Sequence, residues 1–286
     1  MRLVRFSRPD MTVGWGLSLE FGIQDLSLAD PSLPQSTTEL IGKWESLVAR
    51  IQGLSKKLGT SEQELKVLCP IDLPKKILCI GLNYRDHAIE TGAAIPSEPI
   101  VFCKMPTAMI GPNEPILLPK VSLQVDYEAE MVIVIGKTLK DASMVEATDG
   151  IFGYCVGNDV SARDWQKDKP GKQWFLGKSF DTFAPVGPTI ATADAVQEPG
   201  NLRITCKVNG EILQDSNTRE LIFQPSKLVS YISQVMTLHP GDVIYTGTPP
   251  GVGIARVPNR FLRNGDIVEI EVEKLGVLRN TCVQQV

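Results

Sequence analysis

Two glutamates, Glu128 and Glu130, stand directly before a run of apolar residues at 131–135. Such a run, rich in β-branched residues, is typical of a strand buried on both faces. Side chains alternate along a strand, so the two carboxylates point to the same side, with Asp126 one step further out. Crowded carboxylates lose hydration and repel each other, and a bound cation would keep them ionised. A solvated strand face is the alternative; the alternating acids at 267–273 fit that description better.

Asp159 is a third acid that could join this pair. It follows the apolar stretch 151–156, so it lies where a strand runs into a loop, a frequent place for functional residues. A turn-forming role is the alternative from position alone. With Glu128 and Glu130 it would form an all-oxygen site, which suits Mg²⁺, Mn²⁺ or Ca²⁺. A chain with two histidines is a poor candidate for a zinc site of the usual kind.

His87 and Glu90 are three residues apart in a short polar segment that we predict to be a helix. Residues at this spacing share one face of a helix. A carboxylate that holds one imidazole nitrogen leaves the other nitrogen free to act as a general base. The alternative is an exposed helix pair with no catalytic role.

Lys178 is a charged residue in the apolar and aromatic segment 174–180. One interpretation is an anchor for an anionic substrate. The other is a surface lysine whose aliphatic stem covers apolar neighbours while its ammonium stays in water.

The elements that must position these residues are mainly strands. Hydrophobic patterning predicts strands at 77–82, 100–104, 116–118, 127–135, 151–157, 203–208, 211–214, 242–246 and 267–273, the last of which would close the chain. Asn209-Gly210 is a strong hairpin signal, and the apolar spacing over 228–236 predicts an amphipathic helix. Few helices and no regular strand–helix alternation indicate a mainly β, α+β fold.

Residues 1–70 are predicted to form a small N-terminal α+β module. Short strands over 1–35 precede a helix over 38–58, and Ser61–Glu64 has the spacing of a capping box that opens another turn. Prolines near residue 70 mark a boundary, beyond which 71–286 form the larger domain.

Composition limits the partners of the protein. The 43% hydrophobic and 22% charged residues are ordinary for a globular protein, and no apolar run approaches the ~18 residues of a membrane span. A net charge of −4 without a basic block argues against nucleic acid and membranes as partners. Six cysteines without a C-x-x-C spacing indicate a reducing compartment, namely the cytoplasm or, in a eukaryote, the mitochondrial matrix.

Five motifs together resemble the fumarylacetoacetate hydrolase family in order and spacing. They are Gly81-Leu-Asn-Tyr-Arg-Asp-His87-x-x-Glu90, Asp126-Tyr-Glu128-x-Glu130, Asn158-Asp159-Val-Ser-Ala-Arg163-x-x-Gln166, Gly177-Lys178-Ser-Phe-Asp and Thr246-Gly-Thr248-Pro-Pro-Gly-Val-Gly. Each motif is weak alone, whereas five in register are specific. Within the family the chain is most similar to the shorter, domain-containing members of the second type, a group linked to oxaloacetate keto–enol tautomerisation.

The resemblance implies a mixed β-sandwich or roll for the catalytic domain, a homodimer, and a small 2-oxo acid as substrate. The implied metal ligands are Glu128, Glu130 and Asp159 for Mg²⁺, with Mn²⁺ or Ca²⁺ as alternatives; the implied catalytic residues are His87, Glu90 and Lys178; the implied substrate-binding residues are Arg163, Gln166, Thr248 and Lys104. The expected activity is oxaloacetate tautomerisation. The alternatives are C–C hydrolysis of acylpyruvates or similar β-diketo acids, oxaloacetate decarboxylation, and a cation- or carboxylate-binding module without turnover.

Overall fold

The computed structural model describes residues 1–61, 64–72 and 74–285, so the capping box predicted at Ser61–Glu64 includes residues outside the described set. The strands are β1 (Arg2–Ser7), β2 (Val13–Leu19), β3 (Gly22–Asp25), β4 (Lys66–Val67), β5 (Ile77–Gly81), β6 (Ile100–Lys104), β7 (Met109–Ile110), β8 (Ile116–Leu118), β9 (Val125–Asp126), β10 (Ala129–Ile135), β11 (Ile151–Asn158), β12 (Ser161–Ala162), β13 (Ala184–Thr192), β14 (Arg203–Val208), β15 (Glu211–Asn217), β16 (Val243–Tyr245), β17 (Ile267–Val272) and β18 (Gly276–Gln284). The helices are α1 (Leu26–Ala29), α2 (Thr37–Gly42), α3 (Trp44–Ser55), α4 (Arg85–Thr91), α5 (Met144–Asp149), α6 (Arg163–Lys167), α7 (Trp174–Lys178) and α8 (Pro225–Val235).

Two mixed sheets dominate the molecule. The larger has eleven strands, with the path β3-β2-β1-β13-β11-β10-β16-β5-β6 and with β4 beside β1 and β7 beside β13. The smaller has the order β15-β14-β17-β18-β8, and it packs against β10, β11 and β13 of the larger sheet. Most pairs are antiparallel, whereas β5–β16, β7–β13 and β8–β18 are parallel. The predicted mainly β architecture is confirmed.

Strand β10 lies at the centre of this arrangement. All seven of its residues are buried, and it pairs with β11 on one side and β16 on the other. This explains the unbroken apolar run in the sequence, because neither face of the strand meets water. In the register with β11, Ala129 lies opposite Asn158. The residues that precede β10 and follow β11 therefore meet at one end of the pair.

Several elements differ from the sequence-based prediction. The helix predicted over 38–58 is two helices, α2 and α3, which meet at Lys43. Strand β13 was not predicted, because Pro185 and Pro188 interrupt its pattern and proline is rare inside strands. The chain does not close at β17, since β18 follows and pairs with it. The Asn209-Gly210 hairpin is confirmed between β14 and β15.

One hydrophobic core runs through both parts of the chain. It includes Leu3 and Trp15 from the N-terminal residues and Cys282 near the other end. Strand β1 pairs with β13 as well as with β2 and β4. The division into 1–70 and 71–286 stays a prediction. Among the described residues, no helix is long and apolar enough to cross a membrane.

Candidate active site

Three buried carboxylates come together at the end of the β10–β11 pair. Glu128, Glu130 and Asp159 each offer an oxygen atom, and these atoms lie within 4.8 Å of one another. The local backbone fixes this arrangement, since the Asp159 N–H donates to the Glu128 carbonyl at 3.0 Å. The side chain of Asn158 accepts from the Glu128 N–H at 3.0 Å. Their assignment as metal ligands stays a prediction, although the geometry suits it.

Two lysines face these carboxylates. The Nζ atom of Lys178, at the end of α7, lies 2.7 Å from Glu128 Oε2 and 2.8 Å from Asp159 Oδ2. Lys104, at the end of β6, pairs with Asp159 Oδ1 and donates to the Val160 carbonyl at 2.9 Å. Lys178 is 2% exposed, so the interpretation as a surface lysine is wrong. Its role as a substrate anchor stays a prediction.

Arg163 connects the carboxylates to a second buried acid. Its Nη1 atom lies 2.7 Å from Glu128 Oε1 and donates to Gln166 Oε1 at 3.0 Å. Its Nε donates to Asp126 Oδ2 at 2.8 Å. Asp126 also accepts from the backbone N–H groups of Gly253 and the next residue, at 2.7 and 3.0 Å. Asp126 therefore orients Arg163 and holds the loop that follows β16, a role that the sequence did not indicate.

The loop after β16 reaches the carboxylates through its backbone. The Gly247 N–H donates to Glu130 Oε2 at 2.6 Å, and the Thr246 carbonyl accepts from Asn83 Nδ2 at 2.7 Å. Gly247 has φ +101°, and a Cβ atom there would lie 2.7 Å from the Cβ atom of Asn83. Only glycine fits this close approach. Thr248 directly follows this glycine in the chain.

Gln214 is a buried residue of the site that the sequence reasoning missed. Its Oε1 accepts from the Ala129 N–H at 2.9 Å, between the two glutamates of the carboxylate cluster. Its Nε2 donates to Thr248 Oγ1 at 2.9 Å and to the Pro249 carbonyl at 2.8 Å. The signal that could have found it was a polar residue at the end of the strand predicted over 211–214.

His87 and Glu90 form a pair on α4. The His87 Nδ1 atom lies 2.9 Å from Glu90 Oε2, and the second carboxylate oxygen, Oε1, accepts from the Gly251 N–H at 2.9 Å. A carboxylate can only accept here, so Nδ1 carries the hydrogen and Nε2 is left without one when the ring is neutral. Gly92 ends the helix in the left-handed conformation, with φ +64°. The assignment of the pair as catalytic stays a prediction.

The charges of the cluster do not balance. The buried acids are Asp126, Glu128, Glu130 and Asp159, and the buried bases are Lys104, Arg163 and Lys178. Burial raises the pKa of Glu130 well above its usual value, and the nearby Asp159 and Glu128 raise it further. Burial also acts to raise the pKa of Glu128, but Lys178 and Arg163 outweigh it and hold that pKa below its usual range.

A divalent cation fits this cluster by charge and by donor type. It would offset the excess carboxylate, and with the cation bound the site would carry net positive charge, which suits an anionic substrate. The donor atoms are carboxylate oxygens, which are the ligands of hard cations such as Mg²⁺, Mn²⁺ and Ca²⁺.

A cavity of about 590 Å³ lies elsewhere, between the α2–α3 junction and the far end of the β10–β11 pair. Trp44 and Phe152, which pack edge to face, line part of its wall. None of the predicted site residues borders it. The carboxylate cluster is therefore a separate site, and its three acids are buried.

This fold and this cluster define a class of enzyme. Residues 76–283 match the family described as fumarylacetoacetate (FAA) hydrolase C-terminal. The chain belongs to the fumarylacetoacetate hydrolase family, as its motifs indicated, and it is an enzyme of that family.

Relatives of known name cover nearly the whole chain. It is 44% identical over 289 residues to "Oxaloacetate tautomerase FAHD2A, mitochondrial" of Bos taurus, with 99% of this chain and 92% of the bovine protein covered. It is 45% identical over 288 residues to "Oxaloacetate tautomerase fahd2, mitochondrial" of Xenopus laevis, with 99% and 90% covered.

Solved structures share the fold. A putative HpcE protein from Mycobacterium smegmatis has a TM-score of 0.87 at 32% identity. A maleylpyruvate hydrolase from Sphingobium sp. SYK-6, in complex with manganese(II) and pyruvate, has a TM-score of 0.82 at 31% identity. All of this chain and all of both of those chains are covered. The predicted family fold is confirmed.

Proposed function

We propose that this protein is an oxaloacetate keto–enol tautomerase that requires a divalent cation, with Mg²⁺ as the first candidate. The observation that carries the proposal is the buried cluster of three carboxylates, with oxygen atoms within 4.8 Å of one another, ringed by cationic side chains. The names of the bovine and Xenopus relatives support the choice of reaction. The manganese and pyruvate in the Sphingobium enzyme support the need for a cation and the 2-oxo acid class of substrate.

In this proposal, Glu128, Glu130 and Asp159 hold the cation. When bound there, the cation would act as a Lewis acid that stabilises negative charge on a 2-oxo group. Lys178, Lys104 and Arg163 supply positive charge for the carboxylates of the substrate, and Gln166 and Thr248 offer polar groups that orient it. Because these side chains are buried, the attraction is stronger than it would be in water.

His87 moves the proton. Glu90 fixes the ring through Nδ1, so Nε2 is the atom that removes a proton from C3 of the keto form and returns one to the 2-oxo oxygen. The reverse transfer converts the enol to the keto form. Glu90 in turn is held by the Gly251 N–H, so the pair keeps its orientation relative to the loop that carries Thr248.

The alternative is hydrolysis of a C–C bond in an acylpyruvate. The similarity to a maleylpyruvate hydrolase supports this alternative. The same His87–Glu90 pair would activate a water molecule instead of a C–H bond. Oxaloacetate decarboxylation is a third outcome: loss of the C4 carboxylate of keto-oxaloacetate as CO₂ would leave the enolate of pyruvate, whose negative charge the same site would stabilise. Membership of an enzyme family argues against the non-catalytic binding module.

The test follows the fate of freshly dissolved enol-oxaloacetate. Ultraviolet absorbance measures loss of the enol, and NMR identifies the product, with Mg²⁺, Mn²⁺ or Ca²⁺ added to chelator-treated enzyme and each cation alone as the control. The proposal expects cation-dependent acceleration that yields keto-oxaloacetate without pyruvate. Formation of pyruvate would show that the protein is a decarboxylase instead of a tautomerase. Turnover of acylpyruvates alone would show that it is a C–C hydrolase.

We further propose that the protein is a homodimer in a reducing compartment, the cytoplasm or the mitochondrial matrix. Exposed apolar side chains at Val121, Leu123 and Leu176 support a self-association surface. Their segments meet at α6, which donates to the Val121 carbonyl through Trp165 and packs against α7. All six cysteines are free thiols, which supports the reducing compartment. Light scattering coupled to gel filtration tests the dimer, and Leu123→Glu with Leu176→Glu should shift it to monomer. An unchanged mass would show that this surface is not the interface.

A further inference from the structure

We propose that Gln214 is a positioning residue that makes the Thr248 hydroxyl a hydrogen-bond donor to the substrate. The inference rests on the proposed function, since it assigns how one side of that site selects its ligand. The position beside Thr248 would consequently prefer a carboxylate or carbonyl oxygen of the ligand over an ammonium or other donor group.

The orientation of the Gln214 amide is fixed by its neighbours. The Ala129 N–H can only donate, so the atom that faces it must be the amide oxygen. The Pro249 carbonyl can only accept, so the atom that faces it must be the amide nitrogen. Both contacts agree, and the side chain is 1% exposed, so water does not compete for either. The amide has one orientation in which both hydrogen bonds form.

This orientation decides the direction of the Thr248 hydroxyl. The amide nitrogen of Gln214 has two hydrogens, one for Pro249 and one for Thr248 Oγ1 at 2.9 Å. Thr248 Oγ1 is therefore an acceptor in this bond, and its own hydrogen must point elsewhere. In the described part of the chain, no acceptor takes that hydrogen. The nearby Thr246 is a contrast, because its hydroxyl donates to the Met131 carbonyl at 2.8 Å.

Thr248, which carries this free hydrogen, is adjacent in the chain to a residue that binds the carboxylate cluster. Thr248 directly follows Gly247, whose N–H is bound to Glu130 Oε2 at 2.6 Å. The residue is 6% exposed, so an unpaired hydroxyl hydrogen there is costly unless a ligand accepts it. An oxygen of a 2-oxo acid meets that need. An amino group in the same place could use only the second lone pair of Thr248 Oγ1 and would leave the hydroxyl hydrogen without an acceptor.

The test measures pyruvate binding to the Mn²⁺-loaded protein by calorimetry. Thr248→Val removes the hydroxyl at nearly constant shape, and Gln214→Met removes the amide that orients it. Each variant should weaken pyruvate binding by between about tenfold and a hundredfold, because a donor to a charged oxygen is lost or misdirected. Thr248→Ser keeps the hydroxyl and should bind within about threefold of the natural protein.

The double variant distinguishes an indirect role from a direct one. If Gln214 acts through Thr248, Gln214→Met combined with Thr248→Val binds pyruvate as the weaker single variant does. If the two single-variant losses of pyruvate affinity multiply in the double variant, the inference is wrong. Unchanged affinity in Thr248→Val would also overturn it. Gln24→Met is the matched control, since Gln24 is also buried and donates to two backbone carbonyls, of Ser55 and Leu58, in the N-terminal residues. It should leave pyruvate binding unchanged.

Two further readouts separate this inference from the proposed function. Affinity for Mn²⁺ alone should stay within about threefold in Thr248→Val, since Thr248 is not one of the three carboxylates. A protein that binds pyruvate through Thr248 but fails to accelerate enol-oxaloacetate loss would refute the tautomerase and leave the inference standing. A natural protein that accelerates enol loss while its Thr248 and Gln214 variants bind pyruvate normally would refute the inference alone.

Discussion

Glu128 and Glu130 are neighbours in the same cluster with opposite electrostatic environments. Glu128 lies against Lys178 and Arg163, which hold its pKa below the usual range despite burial. Glu130 has the Gly247 N–H as a donor, and burial with Asp159 and Glu128 raises its pKa. The folded protein therefore binds a proton at Glu130 more tightly than the unfolded chain does, and its ionisation above the ordinary glutamate pKa disfavours folding. For Glu128 the folded pKa is the lower one, so its ionisation favours folding.

Glutamine substitutions at these two positions should consequently have opposite effects on stability. In chelator at pH 7, Glu130→Gln should raise the free energy of unfolding by on the order of 1 kcal/mol, because glutamine neither carries a buried charge nor has to take up a proton when the chain folds. Glu128→Gln should lower it by roughly 3 kcal/mol, because two buried cations lose a partner. Both should reduce Mn²⁺ affinity by more than about 100-fold. Urea unfolding and calorimetry measure the two quantities; equal signs of the stability change would contradict this account.

His87 should affect turnover without affecting the cation. His87→Ala is expected to lower kcat by about 10² to 10⁴, the usual contribution of a general base, with Mn²⁺ affinity unchanged. His239, the other histidine of the chain, uses its backbone N–H to contact Asp242, so His239→Ala is the matched control. Steady-state kinetics on enol-oxaloacetate measure the effect. Normal turnover in His87→Ala would show that another group transfers the proton.

At the level of elements, local patterns predicted the strands that carry Glu130 and Lys104 and the helix that carries His87, but not α6 and α7, which carry Arg163 and Lys178. The apolar run of β10, the strand end before Asp159 and the glycine that ends α4 all follow from short-range rules. What the sequence could not give is which distant residues meet. Lys104 and Asp159 are 55 residues apart, and Gln214 is 85 residues from Ala129. Such contacts depend on strand order, which no local pattern encodes.

The start of α2 is joined to the segment after residue 70 by one carboxylate. Asp72 Oδ1 accepts from the hydroxyls of Thr37 and Thr38 and from the Thr38 N–H, at 2.6 to 3.0 Å. Burial by itself raises the pKa of Asp72. Its hydrogen bonds outweigh burial and lower that pKa to about 2, and the bond from the Thr38 hydroxyl contributes most among them. The carboxylate also lies at a helix N-terminus, where negative charge is favoured.

Asp72→Ala should therefore destabilise the protein in a pH-dependent way. The folded pKa lies below that of the unfolded chain, so the stabilisation is complete above about pH 4 and is lost as the pH falls towards 2. We expect a loss of about 1 kcal/mol at pH 7, the usual cost of removing a helix cap, and a smaller difference from the natural protein at pH 3. Urea unfolding at both pH values measures this. Asp10→Ala, at an exposed turn, is the control; a difference independent of pH would contradict the role of the charge.

For the whole molecule, the large sheet joins the N-terminal residues to the active site. Strand β1 pairs with β13, β13 with β11, and β11 with β10, whose start carries the glutamates. Leu3, Phe6 and Trp15 are fully buried, and Leu3 and Trp15 belong to the same core as β10. The sequence predicts a boundary near residue 70, but the hydrogen bonds between β1 and β13 join residues from both sides of it.

Removal of residues 1–70 should consequently destabilise the rest of the chain, residues 71–286. The fragment 71–286 would expose the edge of β13 and the apolar surface that covers Leu3 and Trp15, and an uncovered edge of this kind favours aggregation. We expect the fragment to lack a cooperative thermal transition and to lose Mn²⁺ binding, because β11 and β10 lose support in turn. Circular dichroism and calorimetry compare it with the full chain, and addition of the separate 1–70 peptide tests recovery. A fragment that unfolds cooperatively and binds Mn²⁺ like the full chain would show instead that residues 1–70 are an independent module.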